Sequence, residues 1–464
     1  MKLTILGGAG MRTPLLINGL FKHKDISFDE VTLFDTDAER LSIMGNLSKY
    51  LVQKNNADIK LSFTTDIREA VKGTDFIFSA IRVGQEEGRV NDERIALKHG
   101  VLGQETTGPG GFAMALRTIP VMIEYTKIIN EVAPNAWLLN FTNPAGLLAQ
   151  ALNTYGHHKK VIGICDAHAG IKNALCKYLK VPHTRLQVDY FGLNHLGWVP
   201  AVRLDGEDQL PKILENYEQL SRISHVFSFF DPELIRNMGM LPNEYLYYFY
   251  YQNQSVKNIL NVNETRGEQI VKLNRPLLGR LTELVKDGKI EEAWADYNGT
   301  LEARHSTYMS RETTGTVHDV HEHEEEVDIT FEEEGYEGLA LNIIKSIVNN
   351  KQQILTLNVP NKGTISGLHD DDVVEVPCLV NQNGYFPLAI GEVPDIAMSF
   401  IKPVKTYERL TVEAAVKGDY EAAVNALTVH PLVPSYTVAK SMLDEYLQVH
   451  KEYLPQFTDK TISV

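Results

Sequence analysis

The chain has 464 residues, enough for two domains, a formal net charge of −15 and only three cysteines. This acidic balance argues against nucleic acid or an anionic membrane as the main partner, because both require a basic face. The few cysteines, together with the lack of a signal peptide and of an apolar run long enough to span a bilayer, predict an enzyme of the reducing cytoplasm without disulfides.

The first elements predict a dinucleotide-binding βαβ unit. A short apolar strand runs into a glycine turn, and a helix over residues 14–21 leads to a second strand that ends in an acid. The turn needs glycine because the pyrophosphate must approach the backbone at the positive end of the helix, although Thr13 stands where a third glycine is usual. The acid favours NAD over NADP. The residues predicted to bind NAD are Gly7, Gly8, Gly10, Met11, Arg12 and Asp35.

The order of the later elements predicts the fold class. Further strands at residues 75–79 and 136–140, with helical segments between them, are typical of a parallel sheet. The C-terminal half is richer in helices and has a few strands, for example at 372–378 and 384–390. We therefore predict an α/β protein. A Rossmann-type doubly wound sheet would cover residues 1–190, and a helix-rich α+β domain residues 191–464, as in lactate and malate dehydrogenases.

Arginines and a glycine-rich loop come between the nucleotide turn and the middle of the chain. The loop at residues 103–111 precedes a helix that carries Arg117, and we expect it to close over the nicotinamide or the sugar. Arg82 and Arg89 lie just before it. Most single arginines are solvated surface groups, but a guanidinium is also the natural fork for a phosphate, and the sequence leaves both interpretations open.

Polar side chains follow two strand-like segments in the middle of the chain. Cys165 and Asp166 come after the first segment, and Asn194 and His195 come after the second. Such a group can hold one catalytic metal ion with positions left for substrate oxygens, whereas a structural zinc site uses several cysteines at short spacing. A buried core cysteine and a capping or core histidine would have the same spacing. The glycine turn at the N-terminus predicts an enzyme that binds a dinucleotide, and it therefore favours the metal site over the core-residue interpretation.

Several motifs, in the same order along the chain, resemble those of glycoside hydrolase family 4, the NAD- and metal-dependent glycosidases. The resemblance covers almost the whole chain and is strongest to the 6-phospho-glucosidases of that family. Family 4 departs from the pair of catalytic carboxylates that most glycosidases use. The motifs are Arg82-Val-Gly, Arg89-x-x-Asp92-Glu93, the loop 103–111, Asn140-Phe-Thr-Asn143-Pro, Cys165-Asp166, Gly192-Leu-Asn-His195 and Pro242-Asn-Glu-Tyr245.

The resemblance implies a redox route. NAD would take hydride from C3 of the sugar, elimination would follow removal of the C2 proton, and NADH would return the hydride after water adds to C1. A metal ion, usually Mn²⁺ in this family, would sit on Cys165 and His195, with Tyr245 as the base and Asp166 as the general acid. The substrate would be a phosphorylated disaccharide or glucoside, and the assembly a homodimer or homotetramer. The residues implied to hold substrate are Arg89, Asn143, Asn194 and Arg266.

One of these motifs, and one segment that departs from the family, each have two interpretations. Tyr245 begins a run with five tyrosines in seven residues, which also fits an amphipathic core helix. The segment His318-Asp-Val-His-Glu-His-Glu-Glu-Glu326 contains three histidines among acids and could form a metal site. Its composition fits an exposed acidic loop better.

The anomer that is cleaved is the least determined property. Asp166 after the metal cysteine resembles the 6-phospho-α-glucosidases, since the β-acting members typically have Asn there. Ala167-His168 departs from the α pattern, and residues 428–435 resemble the β-acting members. We predict a 6-phospho-α-glucosidase of the maltose 6′-phosphate type, with a 6-phospho-β-glucosidase as the alternative. An NAD-dependent hydroxy-acid dehydrogenase would share the first domain but needs no metal thiolate, and a non-catalytic NAD sensor would share the glycine turn.

Overall fold

The computed structural model describes residues 1–317 and 338–457. The acidic segment that begins at His318 lies outside the described residues. In the described part, one mixed sheet of thirteen strands runs through both halves of the chain. The strands are β1 (Lys2–Leu6), β2 (Glu30–Phe34), β3 (Lys60–Thr64), β4 (Phe76–Ser79), β5 (Trp137–Asn140), β6 (Val161–Gly163), β7 (Leu186–Leu193), β8 (Leu196–Leu204), β9 (Glu207–Asp208), β10 (Leu241–Pro242), β11 (Gln353–Pro360), β12 (Val373–Asn381) and β13 (Gly384–Pro387).

Helices connect and cover these strands. The α-helices are α1 (Thr13–Leu20), α2 (Ala38–Lys54), α3 (Ile67–Val71), α4 (Gln85–Lys98), α5 (Pro109–Val132), α6 (Ala145–Thr154), α7 (Ala167–Leu179), α8 (Leu210–Glu215), α9 (Tyr217–Ile223), α10 (His225–Ser228), α11 (Pro232–Met238), α12 (Tyr247–Tyr250), α13 (Gln252–Val262), α14 (Arg266–Lys286), α15 (Ile290–Ser306), α16 (Ser310–Thr313), α17 (Gly338–Val348), α18 (Asp395–Lys417), α19 (Tyr420–Val429) and α20 (Tyr436–Val449). Four short 3-10 helices lie at His183–Arg185, Glu244–Leu246, Lys451–Tyr453 and Pro455–Phe457. None of the helices in residues 1–317 and 338–457 is long and apolar enough to cross a lipid bilayer.

The N-terminal strands form the predicted parallel sheet. Strands β3, β2, β1, β4, β5 and β6 lie side by side in that order, and each adjacent pair is parallel. This is the strand order of dinucleotide-binding folds, whose ligands lie beyond the carboxyl ends of the strands. Every residue of β4 and β6 is buried, as expected when helices cover both faces of a parallel sheet. The predicted α/β fold is therefore confirmed.

The C-terminal half extends the same sheet with antiparallel strands. Strand β11 pairs with β6 through Asn358 and Gly163, and β12 connects β11 to the β7–β8 hairpin through Glu375 and Gly192. The strands expected at 372–378 and 384–390 are observed as β12 and β13. The predicted domain boundary between residues 190 and 191 falls within β7, and the division into two domains stays a prediction. The extension brings Glu375 beneath the ends of β6 and β7.

Candidate active site

A cavity of about 1710 Å³ lies at the carboxyl ends of the parallel strands. It is large enough for a dinucleotide and a sugar together, since ligand cavities of about 300–1,000 Å³ hold drug-sized molecules. Of the residues predicted to bind NAD, metal or substrate or to act in catalysis, Gly8 and Asn194 do not line it. Those that do are Gly7, Gly10, Met11, Arg12, Asp35, Arg89, Asn143, Cys165, Asp166, His195, Tyr245 and Arg266.

The glycine turn has the close backbone packing that a pyrophosphate cradle needs. Gly7 has a φ of +89°, and a Cβ atom there would lie 2.5 Å from the Ala80 carbonyl oxygen. The backbone N–H of Gly10 donates to the Gly7 carbonyl at 2.9 Å. Asp35 accepts a hydrogen bond from the Ala9 backbone N–H at 3.0 Å and lines the cavity, where its carboxylate can meet ribose hydroxyls. These residues fit a bound NAD.

Cys165 and His195 face each other across the end of β6 and the β7–β8 turn. The distance from Cys165 Sγ to His195 Nε2 is 3.4 Å, and both residues are buried. Ligand atoms that share one ion in a tetrahedral site lie roughly 3.5 Å apart. His195 Nδ1 has no hydrogen-bond partner among the described residues. The pair therefore offers two ligands to a metal ion and leaves other positions for substrate oxygens.

The ionisation of this pair also fits a cation site. Burial lowers the pKa of His195 to about 3, so the imidazole is neutral and able to coordinate. Burial, followed by the negative charges of Glu375 and Asp166, raises the pKa of the Cys165 thiol well above its usual value. A bound cation would reverse that shift and hold the thiolate.

Tyr245 lies against the Cys165–His195 pair. It is in the 3-10 helix Glu244–Leu246, and its ring stacks on the His195 imidazole with 3.6 Å between ring centres and 7° between ring planes. Its hydroxyl accepts a hydrogen bond from the Tyr308 hydroxyl. Burial raises the pKa of Tyr245 well above 10, so a cation nearby is needed before the phenolate can act as a base. The next tyrosines of the run, Tyr247 and Tyr248, are buried core residues.

Asp166 links the Cys165–His195 pair to the nucleotide turn. It precedes the first residue of α7, and its side chain is 42% exposed toward the cavity. Its Oδ2 lies 3.5 Å from Nη1 of Arg12. A carboxyl group at this position can reach a leaving oxygen on the sugar and remains accessible to water.

Asn194 lies beneath the site, in a buried network around Glu375. The Glu375 carboxylate accepts hydrogen bonds from Asn358 Nδ2 at 2.8 Å, from the Tyr190 hydroxyl at 3.1 Å and from Asn194 Nδ2 at 3.3 Å. The Tyr190 hydroxyl in turn accepts from Asn243 Nδ2 at 3.1 Å. Since Asn243 Oδ1 accepts from the Tyr245 backbone N–H, the network connects Tyr245 to the turn that carries His195.

Glu375 did not emerge from the sequence as a site residue. Burial raises its pKa to about 7, although its three hydrogen-bond donors each oppose that rise. The sequence does show a single acid within the apolar strand Val373–Asn381. Such an acid indicates a special position, because burying a charge is costly unless it is paired or hydrogen-bonded.

We expect Glu375→Gln to remove a pH dependence of stability in the metal-free protein. A carboxyl group whose pKa rises from 4.5 to about 7 on folding stabilises the fold fully below pH 4.5, and this contribution is lost as the pH rises to 7. Its size is up to about 3 kcal/mol, at about 1.4 kcal/mol per pKa unit. Urea unfolding of both proteins at pH 4.5, 6 and 8 in a chelator measures the difference. Glu413→Gln, which changes an exposed glutamate, should follow wild type, and parallel curves for Glu375→Gln would contradict the expectation.

The arginines near the cavity divide into paired and unpaired groups. Arg89 contacts Glu93 and Glu105, each at 2.7 Å, and Arg117 contacts both carboxylate oxygens of Asp92 at 2.7 Å. These ion pairs are buried; the Arg89–Glu105 pair ties the 103–111 loop to α4, and the Arg117–Asp92 pair ties α5 to α4. Arg82 also pairs with Glu105.

Arg266 and Arg304 have no carboxylate within 4.0 Å among the residues that the structure describes, and both line the cavity. Burial and neighbouring arginines lower the pKa of Arg266 to about 10 and that of Arg304 to about 9. Such crowding of positive charge favours a bound anion. No role was predicted for Arg304, because its place on the cavity depends on how the end of α15 packs.

Comparison with known proteins covers both halves of the chain. A family model described as "Family 4 glycosyl hydrolase" matches residues 2–181, and one described as "Family 4 glycosyl hydrolase C-terminal domain" matches residues 190–433. A protein of Bacillus subtilis (strain 168) named probable 6-phospho-beta-glucosidase is 37% identical over 99% of this chain and 98% of its own length.

Solved structures show the same relationship. The 6-phospho-beta glucosidase from Thermotoga maritima, solved with manganese, NAD⁺ and glucose-6-phosphate, is 30% identical with a TM-score of 0.80 over 98% of this chain and 99% of its own. A 6-phospho-alpha-glucosidase from gut microorganisms, solved with NAD and Mn²⁺, is 27% identical with a TM-score of 0.81 over the same shares. Malate dehydrogenase from Plasmodium falciparum, at 11% identity and a TM-score of 0.52 over 90% of this chain and 98% of its own, shares the fold alone.

Proposed function

Because the chain belongs to the family 4 glycosyl hydrolases, we propose that it hydrolyses 6-phosphorylated glucosides, with NAD and Mn²⁺ or another divalent ion as its cofactors. The observation that carries this proposal is that one cavity contains the glycine turn, the Cys165–His195 pair and Tyr245. The relatives named as 6-phospho-glucosidases, and the solved structures that contain NAD, manganese and glucose-6-phosphate, support it.

Each side chain of the cavity has its own role in the proposed reaction. When bound, NAD supplies a hydride acceptor for C3 of the sugar and the divalent ion supplies Lewis-acid polarisation of the adjacent oxygens. Cys165 and His195 would hold the ion. Tyr245 removes the C2 proton, and Asp166 donates a proton to the departing glycosidic oxygen. Asn194 acts from below the cavity by holding the turn that carries His195, rather than by touching the sugar.

We further propose that the α-linked substrate is preferred. Asp166 follows the metal cysteine and is exposed to the cavity, so it can protonate an axial leaving oxygen. The alternative is a 6-phospho-β-glucosidase, which is favoured by the 37% identity to the Bacillus subtilis protein named as such. The relatives include enzymes named for either anomer.

The paired substrates maltose 6′-phosphate and cellobiose 6′-phosphate separate these alternatives. We expect faster hydrolysis of the α-linked sugar, and no hydrolysis of either when NAD or the divalent ion is withheld, because each supplies chemistry that no side chain here replaces. Glucose 6-phosphate release measures both rates. Faster cleavage of cellobiose 6′-phosphate would assign the β specificity, and full turnover without NAD would contradict the redox route.

Asp166→Asn provides the matching test of the proton donor. The variant should slow maltose 6′-phosphate by about 10²–10⁴-fold, the usual contribution of a general acid. A nitrophenyl α-glucoside 6-phosphate should be slowed far less, because nitrophenolate departs without protonation. Equal losses on both substrates would show that Asp166 serves another purpose, such as holding Arg12.

Arg304, together with Arg266, is our candidate for the phosphate of the substrate. Arg266 donates to the Arg304 carbonyl at 2.6 Å and to the Thr307 hydroxyl at 3.2 Å. Some of its N–H donors are therefore already used within the protein. The Arg304 guanidinium is half-buried and faces the cavity. A bound phosphate would offset both the burial and the repulsion between arginines that lower the pKa of the two groups.

We expect Arg304→Met to raise the KM for the phosphorylated glucoside by about 10- to 100-fold, the effect of losing a hydrogen bond to a charged group. The unphosphorylated glucoside should be affected little. Steady-state kinetics on both substrates and NAD titration by fluorescence measure the change. Arg280→Met, which removes an exposed arginine paired with Asp296, is the matched control. Loss of NAD affinity with an unchanged KM would assign Arg304 to the cofactor phosphates instead.

A further inference from the structure

Tyr308 occupies a place in the cavity for which no sequence motif provides a role. It follows the end of α15, is half-buried and lines the cavity beside Tyr245. Its hydroxyl donates a hydrogen bond to the Tyr245 hydroxyl oxygen. Among the residues that the structure describes, no other group makes a hydrogen bond to that oxygen.

The backbone that carries Tyr308 is held by a buried cation. Arg266 donates to the carbonyl oxygens of Arg304 and Thr307, at 2.6 and 3.3 Å, just before Tyr308 in the chain. Its Cζ lies 5.7 Å from the centre of the Tyr308 ring. A guanidinium near a ring is attracted to it, so Arg266 fixes both the segment and the ring. The Tyr308 hydroxyl is therefore aimed at Tyr245 by a rigid support.

Tyr245 is fixed on its other side by the His195 imidazole, which stacks on its ring at 3.6 Å between centres. Stacking sets the plane of the phenol but leaves the ring free to slide within that plane. A hydrogen bond to the oxygen removes that freedom. Since a displacement of about 1 Å at a reacting atom can cost 10²-fold in rate, the position of this oxygen matters for proton transfer.

We propose that Tyr308 is a positioning residue for the reaction, and that its hydrogen bond holds the Tyr245 oxygen at the sugar C2 during proton transfer. This inference rests on the proposed function. In that step the Tyr245 oxygen takes the C2 proton, the C2–H electron pair forms the C1–C2 double bond, and the C1–O bond breaks toward the proton from Asp166. Tyr308 keeps its own proton throughout.

The test is Tyr308→Phe in the full chain loaded with NAD and Mn²⁺. We expect kcat to fall about 10- to 100-fold, as loss of one strong hydrogen bond in the transition state implies, with KM little changed. Because proton transfer becomes slower than hydride transfer, the primary deuterium isotope effect should rise for C2-labelled substrate and fall for C3-labelled substrate. Exchange of the C2 hydrogen with solvent should slow in parallel with kcat.

Tyr217→Phe is the matched control. Tyr217 is buried, its hydroxyl donates to the Phe227 carbonyl, and it does not line the cavity. That variant loses one internal hydrogen bond and should keep the wild-type isotope effects at both positions.

Three results would overturn the proposal. Unchanged isotope effects, with lower kcat or higher KM, would give Tyr308 only a structural or substrate-binding role. Complete loss of C2 exchange in Tyr308→Phe, with exchange retained in Tyr245→Phe, would make Tyr308 the base. Wild-type enzyme that hydrolyses substrate without any NAD-dependent C2 exchange would overturn the proposed function, and this inference with it.

Discussion

Tyr245→Phe should abolish the exchange of the substrate C2 hydrogen with solvent. The phenol oxygen is the group that lies in the cavity beside the Cys165–His195 pair, while the ring is stacked on His195 and would remain so in the variant. A general base contributes about 10²–10⁴-fold, so exchange and turnover should both fall by at least that range. Substrate labelled with deuterium at C2 is incubated in ordinary water, and the label that remains is measured by mass spectrometry.

Tyr247→Phe is the control for this experiment. Tyr247 belongs to the same run, is buried and does not line the cavity, and its hydroxyl makes a long contact of 3.5 Å to the Thr313 carbonyl. Its loss should leave exchange at the wild-type rate. Wild-type exchange in Tyr245→Phe would show that Tyr245 is a packing residue like its neighbours.

The parallel half of the sheet could be predicted from the sequence because its signals are local. A strand, a glycine turn and an acid after the next strand lie within 35 residues, and each later strand is a short apolar run between helices. The antiparallel half could not be predicted in the same way. Pairing of Asn358 with Gly163 joins residues far apart in the chain, and only the packed fold determines it.

The candidate site also contains residues that could be predicted from the sequence and residues that could not. Cys165, Asp166 and His195 could be predicted because they follow two strand-like segments of the sequence. That β11 and β12 lie between those two strands, β6 and β7, is visible only in the folded sheet. Arg304 and Tyr308 come from the end of α15, where nothing in the sequence indicates which side faces the cavity. Glu375 reaches the site across β7 and appears in the sequence only as an acid in an apolar strand.

The substrate-binding role of Asn194, which the family resemblance implies, stays a prediction. In the structure Asn194 does not line the large cavity; its Nδ2 donates to Glu375 and its Oδ1 accepts from the Gly146 backbone N–H. Adjacent residues in a tight turn point to different sides.

Cys165→Ser and His195→Ala should each weaken the binding of Mn²⁺ by more than about 100-fold, beyond the 10–100-fold that loss of an outer-shell partner costs. The two side chains face each other in the cavity, with a thiol sulfur and an imidazole nitrogen 3.4 Å apart. Serine keeps the size of the side chain but not the thiolate. NAD affinity at the glycine turn should change little. Isothermal titration with Mn²⁺, and fluorescence titration with NAD, measure the two affinities separately.

Cys176→Ser separates coordination from packing. Cys176 lies on α7, is fully buried and does not line the cavity, so its replacement loses a thiol without touching the proposed ligands. We expect wild-type Mn²⁺ affinity in this control. Metal binding by the wild type should also release the thiol proton, because burial raises the pKa of Cys165 well above neutrality, and the affinity should therefore increase with pH until that proton is lost. Unchanged metal affinity in either ligand variant, or an affinity of the wild type that does not change with pH, would contradict coordination by this pair.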